Sequence, residues 1–170
     1  CDFGYIDTDI STDYVDDKEP SVFNTAKVED MSFMFSGCQT LRKLNLNGFN
    51  TVSLRTVQQM FYRCYNLESL DMQGTTIGRH FNIERCTALK SFDGFPKVAE
   101  DIIANHCTSV TSFKGLPEVV NGELDLSYCP NIKSLEGCPK KVNKIFDLHR
   151  GAMWEKSEIE RVCDCKDIIV

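Results

Sequence analysis

No stretch of the 170 residues approaches the length of apolar chain that a bilayer demands, and no basic-then-apolar leader opens the chain. A soluble protein without membrane insertion is expected. Clusters of Lys and Arg are missing as well: 19 basic residues against 25 acidic ones leave a formal charge of -6. Nucleic acid is therefore not expected as a partner, because binding phosphates takes a concentrated positive surface. No Gly/Ser-rich or Pro-rich linker interrupts the sequence, so residues 1–170 are read as one domain, long enough to bury a single core. Histidine is limited to His80, His106 and His149.

Cysteine is what the chain has in quantity, nine in all. Five fall at positions 38, 64, 86, 107 and 129, in steps of 26, 22, 21 and 22. Each is followed three residues later by one member of the series Leu41, Leu67, Leu89, Val110, Ile132, and six later by Leu44, Leu70, Phe92, Phe113, Leu135. Such a period is the signature of an array whose units must stack to bury their apolar faces. Thiols repeated at one frame position beside core aliphatics read as small buried hydrophobes. Free thiols suit a reducing compartment, which favours the cytoplasm of a bacterial host, with a virion or cell surface as the alternative. Cys138, Cys163 and Cys165 stand outside the ladder, and Cys163-Asp164-Cys165 lacks the two-residue gap of zinc and redox motifs. Cys1 fits either the lipidated start of a mature bacterial lipoprotein or a processing boundary.

The segment before each ladder cysteine changes character along the chain. Met31, Met34, Phe35 and Cys38, and then Val57, Met60, Phe61 and Cys64, stand at i, i+3, i+4, i+7, which predicts a short helical turn in each of the first two coils. From the third unit the spacing alternates: Phe81 and Ile83, Ile102 and Ala104, Leu124 and Leu126, Phe146 and Leu148. Period two predicts strand. Gly94, Gly115 and Gly137, each with a proline two residues on, mark the turns that end a second strand. The fold class is an α/β to mostly β repeat solenoid of about five to six coils of 21–26 residues. Residues 1–23 are read as an acidic N-terminal cap, 24–150 as repeats and 151–170 as a C-terminal helical cap. In that cap Ser157 and Glu160 have capping-box spacing, Ile159, Val162 and Cys163 form an apolar stripe, Trp154 packs nearby, and Ile168, Ile169 and Val170 can add a strand. Residues 140–148 begin one more repeat, with Gly151 in the cysteine position.

The phrase from Val28 to Leu41, with Leu44-Asn45-Leu46 and Phe49-Asn50-Thr51 after it, resembles the BspA-like leucine-rich repeats of bacterial surface proteins. The phrase Lys133 to Val142, with Phe146-Asp147-Leu148, resembles leucine-rich-repeat-like proteins encoded by bacteriophages and gut bacteria. Together the two cover residues 24 to 150. The resemblance implies a leucine-rich-repeat-like fold, and for the surface kind an adhesin. It does not specify a ligand, since repeat scaffolds serve many partners.

No catalytic, cofactor or metal site is expected. His106 shares its frame position with Arg85, Tyr128 and Arg150 and reads as a variable surface position. Ser69, Ser91, Ser112 and Ser134 share another, whereas catalysis needs one activated serine with its own base. The oxygens of Asp7, Asp9, Ser11 and Asp13 follow a calcium loop in part, but Thr12 stands where the glycine belongs and Lys18 where the bidentate Glu belongs. The expected function is a non-catalytic protein-binding scaffold, encoded by a phage or a gut bacterium, whose partner is another protein of host or virion. A structural or adhesive component of a virion or bacterial surface is the alternative. The expected binding surface is the polar face of the strand after each cysteine. There Lys43 heads the serine column, and Asn45, Asp71, Asp93, Lys114 and Glu136 form a second column beside it. A competing surface lies at the N-terminal edge, where Arg63 and Tyr65, with Arg55 and Gln58, offer the side chains interfaces favour.

Overall fold

The computed structural model describes residues 25–47, 49–98, 100–151 and 153–170. The acidic cap, the partial calcium loop and Cys1 lie outside the described residues. The chain winds as a parallel, mostly β solenoid of about six turns. β1 (Lys43–Asn45) pairs with β2 (Ser69–Asp71), and β3 (Thr76–Ile77) with β5 (Lys97–Val98). The main sheet runs β4 (Phe81–Asn82), β6 (Ile102–Ile103), β8 (Leu124–Asp125), β9 (Lys141–Asp147) and β10 (Asp164–Ile169), with β7 (Val119–Val120) also on β9. Its register sets Phe81 beside Ile102, Ile102 beside Leu124 and Leu124 beside Phe146, so each coil repeats the one before. Residues 140–148 are thus a further repeat, and its two strands have fused into β9. Among the described residues no helix is long and apolar enough to cross a membrane.

The ladder cysteines hold the centre of the stack. Cys64, Cys86, Cys107 and Cys129 are fully buried and Cys38 partly so. Each buried thiol donates to the carbonyl three residues ahead of the preceding coil's cysteine: Cys64 to Phe35, Cys86 to Phe61, Cys107 to Ile83 and Cys129 to Ala104, at 3.0–3.4 Å. Three of those carbonyls already accept their own coil's cysteine N–H, so the thiol engages a lone pair that an aliphatic side chain would leave facing hydrocarbon. In the sixth coil Gly151 replaces cysteine because a Cβ there would lie 2.5 Å from the backbone nitrogen of Cys129. Gly115 is constrained twice over, with φ +96° and a would-be Cβ 2.2 Å from the Phe92 carbonyl carbon.

The helical turns expected of the first two coils do not form. The N–H groups of Met31, Phe33, Phe35 and Gly37 donate to Thr56, Gln58, Met60 and Tyr62 of the next coil, while those of Met34, Ser36 and Cys38 close turns onto the third residue back. A helix would spend every amide internally; stacking takes alternate ones. Phe33 and Gln59 adopt left-handed backbone to permit this, and Met34 is left exposed rather than on a buried helical stripe.

The expected strand after each cysteine is also confined to the first two coils, as β1 and β2. Later coils retain only a bridge between Ser112 and Ser134, with Phe92 N–H reaching Lys114 and Phe113 N–H reaching Glu136. The glycine after this short segment turns the chain before a strand can extend. At the C-terminus, α1 (Lys156–Glu160) starts from a capping box of Glu155 and Glu158, two residues earlier than Ser157 and Glu160. Ile159 and Cys163 are buried, Val162 is exposed, and Trp154 packs partly against the core. The terminal strand is longer than expected: β10 begins at Asp164 and carries a bulge between Cys165 and Asp167.

Candidate interaction surface

Lys43, Asn45, Asp71, Asp93, Lys114 and Glu136 do fall on one side of the stack, and all but half-buried Asp71 are exposed. Asn45 stands beside Asp71 in the β1–β2 register. Beyond coil two they form a file along turns, and much of their polarity is spent locally. Asn45 and Asp71 accept the amides two residues on, while Ser91, Ser112 and Ser134 do the same for Asp93, Lys114 and Glu136. The repeated serines are therefore turn-closing acceptors. A shallow hollow of about 600 Å³ near Phe49, Val52, Leu54 and Thr76 has no charged side chain in its lining.

A different column is built by the backbone itself. The residue immediately before the cysteine position is left-handed in every coil: Gly37, Arg63, Arg85, His106, Tyr128 and Arg150 have φ between 54° and 72°. For a non-glycine residue that conformation costs roughly 1–2 kcal/mol, and cross-coil bonding holds it in place. The amides of Arg63, Arg85, His106 and Tyr128 each donate to the next coil at 3.0 Å. The outcome is a row of long, planar side chains at a spacing of ~4.8 Å per coil. His106 and Tyr128 stack with centroids 4.4 Å apart and planes at 12°, and Tyr128 meets His149 edge-on at 5.1 Å. The Arg150 guanidinium lies 5.8 Å from the Tyr128 ring centre, and that of Arg63 4.8 Å from the Tyr62 ring.

Carboxylates line the inner flank of the row. Asp147 accepts both the amide and Nδ1 of His149 at 2.9 and 2.7 Å, and Asp125 accepts Asn105 Nδ2 at 2.7 Å. Deeper in, Asp101 accepts the Glu123 amide and pairs with His80 and Lys144. Burial pushes the Glu123 carboxyl up, and the negative charges of Asp125, Asp101 and Asp147 add to it. Among the described residues no trio of His, Cys, Asp or Glu is arranged to hold a metal ion.

Arg63, expected at the N-terminal edge, is the first long member of this column. Tyr65 lies half-buried on the other side of Cys64, its carbonyl taken by Ala88 and Thr87. Reading from sequence placed Arg85, His106, Tyr128 and Arg150 at a variable surface position but did not join them, or His149, into an interaction surface. The signal for Arg85, His106, Tyr128 and Arg150 was their shared frame with Arg63, from which His149 stands one residue off; what hid it was the left-handed backbone, which no residue type among them announces.

Fold and surface together define a parallel solenoid repeat protein. The N-terminal part is similar to the family described as "Mycoplasma protein of unknown function, DUF285", whose model matches residues 16–91. No curated protein and no solved structure matches the chain.

Proposed function

We propose that this chain is a non-catalytic, leucine-rich-repeat-like scaffold that binds another protein along the pre-cysteine column. The observation that carries the reading is the stacking of His106, Tyr128 and His149 with Arg150 beside them. Arg and Tyr are the residue types that dominate interface energetics, and side chains already immobilised by their neighbours lose little freedom on binding. The file of Asp93, Lys114 and Glu136 lacks both properties.

The test starts from a partner captured on the intact chain, followed by calorimetry at fixed salt. Tyr128→Ala and Arg150→Ala are each expected to weaken binding by about tenfold or more. Joint reversal of charge at Asp71, Asp93 and Lys114 should change affinity by less than about twofold. If the reversal alone abolishes binding, the post-cysteine file is the site.

A further inference from the structure

Three cysteines that leave the ladder meet one another. Cys138 follows Gly137 in the turn of the fifth coil, Cys163 follows α1 and Cys165 lies on β10. The sulfurs of Cys163 and Cys165 are 3.0 Å apart, and the Cys138 thiol is within hydrogen-bonding reach of Cys163. The contrast with the ladder is chemical. A ladder thiol faces a backbone carbonyl, with which it can do nothing but hydrogen-bond, whereas here a thiol faces a thiol. The β10 bulge contributes, since it lets Cys165 and Ile168, three residues apart, both turn toward the core. Cys163 is buried while Cys138 and Cys165 are half-buried, so a small oxidant has access to the rim of the cluster and not to its centre.

We propose that Cys163 and Cys165 form a thiol–disulfide site that responds to hydrogen peroxide. The Cys165 sulfur attacks one peroxide oxygen, the O–O bond breaks, and a sulfenic acid and one water result. The Cys163 sulfur then attacks the Cys165 sulfur, the S–S bond forms, and the hydroxyl leaves with the Cys163 proton as a second water. Two thiols lose two electrons and two protons; peroxide is reduced to two waters. A low-molecular-weight thiol reverses the step by exchange. The Cys138 hydrogen bond and burial push Cys163 up, and burial with the Cys163 contact pushes Cys165 up. Thiolate is thus scarce at neutral pH, and the oxidation accelerates as pH rises.

Peptide mapping of the full-length protein after a peroxide titration tests this directly. Trypsin places Cys163 and Cys165 together on residues 162–166 and Cys138 on residues 134–140. The expected product is peptide 162–166 lighter by about 2 Da, while the ladder thiols are alkylated only after denaturation. Cys165→Ser should remove the product and Cys138→Ser should retain it. Peptide 162–166 linked to 134–140 would overturn Cys165 as the partner. All three thiols still free at peroxide excess sufficient to oxidise a small-molecule dithiol would overturn the site.

Discussion

At the scale of the single residue, the ladder position asks for a side chain that is small, apolar and able to donate one weak hydrogen bond to a carbonyl of the preceding coil. Cysteine meets all three demands, serine would bring a costlier group to desolvate, and alanine would leave the lone pair unengaged. Burial is also written in the thiols' acidity: Cys64 and Cys129 are pushed from 9.0 up to about 12, and fully buried Cys107 is pushed well above 9.0. The folded chain therefore keeps protons that the unfolded chain releases near pH 9. Stability from these groups is complete below that pH and falls as pH climbs toward 12. Thermal melts from pH 7 to 11 should show the decline. Cys107→Ala should flatten it by about 1.4 kcal/mol per pH unit above pH 9, and an unchanged slope would show that Cys107 ionises as freely in the fold as outside it.

At the scale of elements, β4, β6 and β8 were legible because Phe81 with Ile83, Ile102 with Ala104 and Leu124 with Leu126 alternate within segments too short for a helix. The segments around Met31 and Val57 were not, because i, i+3, i+4, i+7 spacing is satisfied by a chain of tight turns as well as by a helix. The choice is made by where the amides go, and that depends on a neighbour 25 residues away. The C-terminal helix was legible, but its start was not: Glu155 with Glu158 and Ser157 with Glu160 have the same spacing, and the first places Ile159 in the core. One member of the candidate surface was likewise accessible from sequence, since Arg63 was read as a contact residue while its equivalents in later coils were set aside as variable. Removing residues 153–170 takes away β10 together with Ile159, Cys163 and Ile168, and leaves β9 an unpaired edge with Val142 and Phe146 stripped of their neighbours on β10. The shortened chain is expected to lose a cooperative melt and to aggregate; a monomeric elution profile with an unchanged Tm would show that the segment does not cap the stack.

At the scale of the molecule, one frame repeated at steps of 21–26 residues sets everything that faces outward. The columns form because the coils are in register, so a side chain in a column meets the equivalent side chains of the coils before and after, as His106 meets Tyr128. That same arrangement gives the protein a mechanical grain. The hydrogen bonds that join coil to coil, such as Arg85 N–H to the Asn105 carbonyl and His106 N–H to the Ser127 carbonyl, point along the solenoid axis, so a pull applied at the two ends stretches them lengthwise instead of shearing strand past strand. Such a chain should yield one coil at a time at modest force. In a single-molecule tether each rupture should release one coil of 21–26 residues, or roughly 70–90 Å of slack, and the protein would act as an extensible link whose length comes in near-equal instalments.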